Sequence, residues 1–185
     1  MIIAFTGAGI SKASGIDTFD EQPGIRDKLT RTFARIHPDE YNDTIQNMWD
    51  TCKKANPNDA HLALAEYDVP IITMNVDELH QRAGSKNVLA IHGKFPNIVL
   101  YGDPAPNYSI AHDWVDRLNS GDVFLVVGTS YYTVISEQLR ISALSRGAEI
   151  VEINADAEHE VRRFLESRGR NTESFEEFMS REYDY

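Results

Sequence analysis

The chain has 185 residues, 42% of them hydrophobic and 25% charged, with a formal net charge of −11 at pH 7. That length holds one domain with a sizeable core. The acidic balance argues against nucleic acid as a partner, because phosphate binding wants a basic surface. The single cysteine, Cys52, excludes an intramolecular disulfide and a cysteine-built zinc site, which needs several thiolates.

Ile2 to Phe5 is a short apolar run, as expected of a buried parallel strand. It is too short for a signal peptide or a membrane span, so no membrane partner is expected and a cytoplasmic location is. Thr6-Gly7-Ala8-Gly9-Ile10-Ser11 follows. Glycines directly after a strand let the backbone turn tightly and approach a pyrophosphate. The full G-x-G-x-x-G fingerprint is not met, since Lys12 stands at the third glycine. Ser14 to Gly24 reads as an irregular loop. Ile25 to Ala34 and Pro38 to Ala55 read as helices. Ile45, Met48, Trp49 and Cys52 share one helical face, the core of a small lobe at about residues 24–56.

A helix is predicted from Ala60 to Tyr67, a strand over Val69 to Thr73, a short helix over Leu79 to Ala83 and a strand over Val88 to Ile91. Ile98 to Tyr101 reads as a further extended run, and Ile110 to Leu118 as a helix. Asp122 to Val127 (DVFLVV) is the strongest strand signal, followed by the small-residue turn Gly128-Thr129-Ser130. A helix over Val134 to Arg146, a strand over Glu149 to Ile153 and helices over Glu158 to Leu165 and Ser174 to Arg181 complete the chain. Strands alternating with helices predict an α/β fold: a Rossmann-like doubly wound parallel sheet, with the helical lobe inserted after the first strand. In such sheets ligands sit at the carboxyl ends of strands. Asn75 and Asp77 fall at one such end and His92-Gly93 at another. On residue type alone, Asn75 and Asp77 fit turn and cap residues equally well.

The order of motifs resembles the sirtuin family, the NAD-dependent protein deacylases. GAGISKASGI (Gly7 to Ile16), PNDAHLALAEY (Pro57 to Tyr67), TMNVDELHQRAG (Thr73 to Gly84), IHG (Ile91 to Gly93), VLYGDPAP (Val99 to Pro106), VVGTS (Val126 to Ser130) and Ile153-Asn154 carry it. The resemblance implies a reaction that cleaves the nicotinamide–ribose bond of NAD and moves an acyl group from lysine to ADP-ribose. It implies His92 as general base, a role suited to a group that titrates near neutrality. Asn75 would orient the ribose or a water, and Asp77 would hold the nicotinamide carboxamide. Gly7, Ala8, Gly9, Gly128, Thr129 and Ser130 would line the phosphates, with Asn154 near the adenosine ribose. Ser11, Ile16 and Phe19 would complete the cofactor loop, Phe19 as an apolar lid. Val99, Tyr101, Gly102 and Asp103 would flank an acyl-lysine peptide added as a strand. His61 and His80 are expected to cap or pack.

The chain departs from the family's pattern in three places. Only Lys94, Phe95, Pro96 and Asn97 separate His92-Gly93 from Ile98, where the family carries a four-cysteine zinc module, so no zinc is expected. Met74 stands where the family has Gln. Asp20 stands where it has Arg, a charge reversal expected to weaken dinucleotide binding. These departures keep open an NAD glycohydrolase or ADP-ribosyltransferase, and a non-catalytic binder of NAD or ADP-ribose.

Overall fold

The computed structural model describes residues 1–129 and 133–182, and of Asp20 only the backbone. Its centre is a parallel sheet of β1 (Ile2–Thr6), β2 (Ile71–Thr73), β3 (Val88–Ala90), β6 (Val123–Val127) and β7 (Glu149–Ile153), in the order β3-β2-β1-β6-β7. The chain builds outward from β1 to β3, then crosses back to lay β6 and β7 on the other side. That reversal opens a crevice at the carboxyl ends of β1 and β6.

Alternation along the strands decides which residues face which helical layer. Ile3, Phe5, Phe124 and Val126 face α6 (Asn107–Asp116), α7 (Val134–Ser145) and Phe178 of α9 (Phe175–Met179). Ile2, Ala4, Leu125 and Val127 face α4 (Asp59–Glu66) and α8 (Ala157–Arg168). Both faces of β1 and β6 are therefore buried, which is why IIAF and VFLVV read as unbroken apolar runs.

A third cluster lies among α1 (Ile25–Lys28), α2 (Arg31–Ile36) and α3 (Pro38–Lys54). There Leu29, Ile45 and Cys52 pack with Met48 and Trp49, so the apolar stripe of α3 meets one cluster as its spacing predicts. Burial pushes the Cys52 thiol up to about 12, which makes it an inert hydrophobe. Phe95 joins this cluster from the turn of a hairpin, β4 (Gly93–Lys94) with β5 (Asn97–Ile98). The remaining short helix, α5 (Leu79–Arg82), follows the Asn75-Asp77 segment.

Three segments differ from the sequence expectation. Ile25 to Ala34 is broken at Leu29-Thr30: the Thr30 hydroxyl accepts from the Phe33 amide (3.1 Å) and starts a new helix. The Leu29 carbonyl instead accepts from the Tyr101 amide at 2.9 Å. The extended run at Ile98 to Tyr101 pairs as a strand only at Asn97–Ile98, and Tyr101 makes one isolated bridge to Thr30. Ser14 to Gly24 is less irregular than predicted, because 3-10 turns cover Ala8–Ser14 and Phe19–Glu21.

The last helix docks through Phe178, which is fully buried, and through Phe175, edge-on to Trp114 at 4.6 Å. Beyond it Arg181 pairs with buried Asp122, which also accepts from the Asn119 amide at 2.9 Å. Burial alone would raise the Asp122 carboxyl. Arg181, the Met1 amino group and the Asn119 amide outweigh burial and hold it below the ordinary value. A carboxyl lowered by folding stabilises the protein above its unfolded pKa, and this is lost as pH falls through the folded value. Asp122→Asn should therefore cost about 2 kcal/mol at pH 7 and progressively less below about pH 4. Urea unfolding at both pH values reads this, and an equal loss at each would refute it.

Candidate active site

Two glycine turns meet at the crevice. The Gly7 amide donates to the Val127 carbonyl (3.0 Å), the Gly9 amide to the Gly128 carbonyl (2.9 Å) and the Gly128 amide to the Ile153 carbonyl (2.9 Å). A Cβ on Gly9 would lie 2.6 Å from the Gly128 Cα, and Gly128 itself sits at φ +61. Neither position can carry a side chain without parting the turns.

The turn after β1 delivers Ser11 to a buried polar hub. Its hydroxyl donates to Asp77 Oδ2 at 2.7 Å and accepts from Asn75 Nδ2 at 3.1 Å. Asp77 Oδ1 accepts from the Leu79 amide at 2.9 Å, so the acid also caps α5. Burial pushes the Asp77 carboxyl up, against the Leu79, Ser11 and Asn75 hydrogen bonds and the Arg82 charge. His61 Nδ1 accepts from the Asn58 amide at 3.3 Å, closing a capping box on α4. That leaves Nε2 protonated, 3.5 Å from the Ser11 hydroxyl. Beneath lies His80, whose Nε2 meets Thr6 Oγ1 at 2.9 Å while its Nδ1 finds no partner among the described residues. Both rings are fully inside, so burial holds both neutral, with His61 down at about 4. Both residues cap or pack, as expected.

His92 ends the β3 segment. Its Nδ1 lies 3.2 Å from the Met74 carbonyl and its Nε2 2.8 Å from the Tyr108 hydroxyl. A carbonyl can only accept, so the network assigns the proton to Nδ1 and leaves Nε2 as the lone-pair nitrogen. Burial lowers the imidazole from its ordinary value, partly offset by the Met74 carbonyl. It is neutral at pH 7, as a base must be. Tyr108 had no signal in the sequence, because it meets His92 across separate elements.

Other expected site residues are more dispersed. The Thr129 hydroxyl accepts from Arg140 Nη2 at 2.7 Å and is buried. Asn154 is exposed just past β7, and Ala8 is half-buried in the first turn. Ile16 and Phe19 line a cavity of about 440 Å³ with Met48, Thr51 and Cys52, beside the helices rather than against His92. Val99 is tied to the base residue, its amide donating to the His92 carbonyl at 2.9 Å. Tyr101 is exposed, Gly102 turns at φ +87 and the Asp103 carboxylate is held by Arg31. Ser130 lies outside the described residues.

Imidazole NMR titration tests these assignments. His61 should titrate near 4 and His92 below 6.5, while exposed His159, raised by its Asp156 hydrogen bond, should titrate above 6.5. A His92 at or above 6.5 would contradict the buried, neutral base. A histidine lowered by folding withdraws stability as pH drops below its unfolded value, so the fold should weaken between about pH 6.5 and 4.

The Sir2 family model matches residues 7–97, from the first glycine turn into the hairpin after His92. A protein named NAD-dependent protein deacetylase 1, from Pyrobaculum aerophilum, is 31% identical over 83% of this chain and 78% of its own length. NAD-dependent protein deacylase 1 of Caldanaerobacter subterraneus is 29% identical over 84% and 83%. Among solved structures, a Sir2 homologue–NAD complex superposes with a TM-score of 0.83 at 24% identity, covering 90% of this chain and 88% of that one. A Sir2 complex with an inhibitor, 2'-O-acetyl-ADP-ribose and a deacetylated p53 peptide superposes with a TM-score of 0.79 at 25% identity, covering 92% and 95%. With the first glycine turn, the Ser11-Asn75-Asp77 hub and His92 in the matched span, and a 31% identical relative matched over most of both chains, this chain belongs to the Sir2 family.

Proposed function

We propose that the protein is an NAD-dependent protein-lysine deacylase. The observation that carries this is His92: a neutral imidazole with one nitrogen committed to the backbone and the other a base, beside the Ser11-Asn75-Asp77 hub. The relatives named above as NAD-dependent deacetylases and deacylases support the same activity.

The donor set fits a dinucleotide. Bare glycine turns flank the switch-point crevice, and the Asp77 carboxylate has more acceptor sites than its protein donors fill. NAD, as co-substrate, supplies an activated ribose carbon with nicotinamide as the leaving group. Asp77 accepts from the carboxamide N–H and Asn75 orients the ribose. Ser11 holds both side chains in place, and the turns at Gly7–Gly9 and Gly128–Thr129 take the phosphates, with Asn154 completing the cofactor wall. Ile16 and Phe19 shield the reacting carbon from water, and Val99 to Asp103 receive the acyl-lysine peptide. His92 Nε2 is the final acceptor of the proton that a ribose hydroxyl gives up. Residues 24–56 act as the small lobe of a single NAD-binding domain, without structural zinc. Among the described residues no helix is long and apolar enough to cross a membrane.

Met74 favours a second reading. Its methyl lies so close to Gly7 that a Cβ there would approach it to 3.1 Å. An apolar group thus stands where the family has an amide, and NAD hydrolysis on the same scaffold is the competing activity.

Nicotinamide release from NAD, with and without acetyl-lysine peptide, decides between them. Release that requires the peptide supports deacylation; equal release without it supports hydrolysis. His92→Ala should lower acyl transfer by about 10² to 10⁴-fold. Undiminished turnover in that variant would remove His92 from the chemistry.

A further inference from the structure

The lone-pair nitrogen of His92 is already taken. Nδ1–H donates to the Met74 carbonyl, so Nε2 is the only basic site, and the Tyr108 hydroxyl lies 2.8 Å from it. The phenol must be the donor, because neutral Nε2 carries no proton. The two rings lie 5.8 Å apart at 50°. Tyr108 is held in place from both sides. It is the second residue of α6, whose first residue, Asn107, donates from Nδ2 to the Ala90 carbonyl at 2.9 Å. The Tyr108 amide itself donates to the Ala105 carbonyl at 3.1 Å. Asn107 thus ties the start of α6 to the end of the strand that leads into His92. Burial raises the phenol above its ordinary value, so it stays a protonated donor at neutral pH. A ribose hydroxyl cannot bond to Nε2 while Tyr108 occupies it, but the phenolic oxygen keeps lone pairs of its own.

We propose that Tyr108 is the proton relay between the ribose hydroxyl and His92, a role that rests on the deacylase reading. Once the acyl oxygen has displaced nicotinamide from the ribose carbon, the ribose O–H bond breaks and its electron pair forms the new bond to the acyl carbon, whose C=N π pair moves onto the lysine nitrogen. That proton passes to the Tyr108 oxygen as the phenolic proton passes to Nε2. Tyr108 ends neutral and His92 ends as imidazolium, so no outside acid, base or oxidant is needed.

The test separates the step before the base acts from the step that needs it. Tyr108→Phe keeps the ring and removes the relay atom. Exchange of labelled nicotinamide into NAD, in the presence of acetyl-lysine peptide, reads the earlier step; O-acyl-ADP-ribose formation reads the later one. The relay requires product formation to fall about 10²-fold, with exchange falling far less. A variant as fast as or faster than wild type on both would make Tyr108 a bystander or a cap, and an equal loss in both would make it structural; each overturns the relay. A second measurement needs no variant. A proton inventory of product formation in mixed light and heavy water should be curved, as two protons move together, and a straight line would overturn the relay. Wild-type protein that releases no nicotinamide would overturn the deacylase reading, and the relay with it. Wild-type turnover with an unaffected Tyr108→Phe would overturn the relay alone.

Discussion

The site depends on one backbone contact, the seating of Gly9 against Gly128. The turn after β1 and the turn after β6 touch so closely that neither has room for a Cβ. Their amides and carbonyls are satisfied by each other and by Ile153, so the ends of β1, β6 and β7 are fixed together. Once that contact is made, the direction of the chain leaving β1 is set and Ser11 is driven inward. Ser11 then reaches Asn75 and Asp77 from β2 and lies beside His61 of α4. A hub joining three elements thus follows from the absence of two methyl-sized groups.

The hub is an expensive thing to bury. Asp77, His61 and His80 are all buried, together with Ser11, Thr6 and Thr73. A lone buried charge costs several kcal/mol. The protein limits that cost by keeping both imidazoles neutral and surrounding the carboxyl with donors. His80 Nδ1 is the residue of imbalance, a buried polar atom without a described partner. Such a group costs roughly 1–3 kcal/mol and persists where the surrounding fold leaves it no alternative.

Much of this was legible in the sequence, for reasons that differ by element. DVFLVV and IIAF announced central strands because burial on both faces leaves no polar position to confuse the reading. The stripe of α3 was legible because Ile45, Met48, Trp49 and Cys52 meet one cluster. Leu29-Thr30 was not, because that helix break depends on Tyr101, far along the chain, competing for the Leu29 carbonyl. Asn75 and Asp77 looked like ordinary turn residues until the order of motifs was considered. In fact Asp77 does both jobs, capping α5 and bonding Ser11. Tyr108 lay beyond any local pattern, since its significance is a contact between the end of one strand and the start of a helix.

The short hairpin after His92 has a mechanical meaning. Its turn residue, Phe95, is a core residue of the helical segment, while its first strand begins at the base's own neighbour, Gly93. The imidazole and the packing of α3 are therefore joined through the short segment His92-Gly93-Lys94-Phe95. Phe95 thus anchors the segment that follows the base in the same cluster as Trp49 and Met48. A library of variants selected for turnover would thus recover constraints inside α3, at side chains that never meet a substrate.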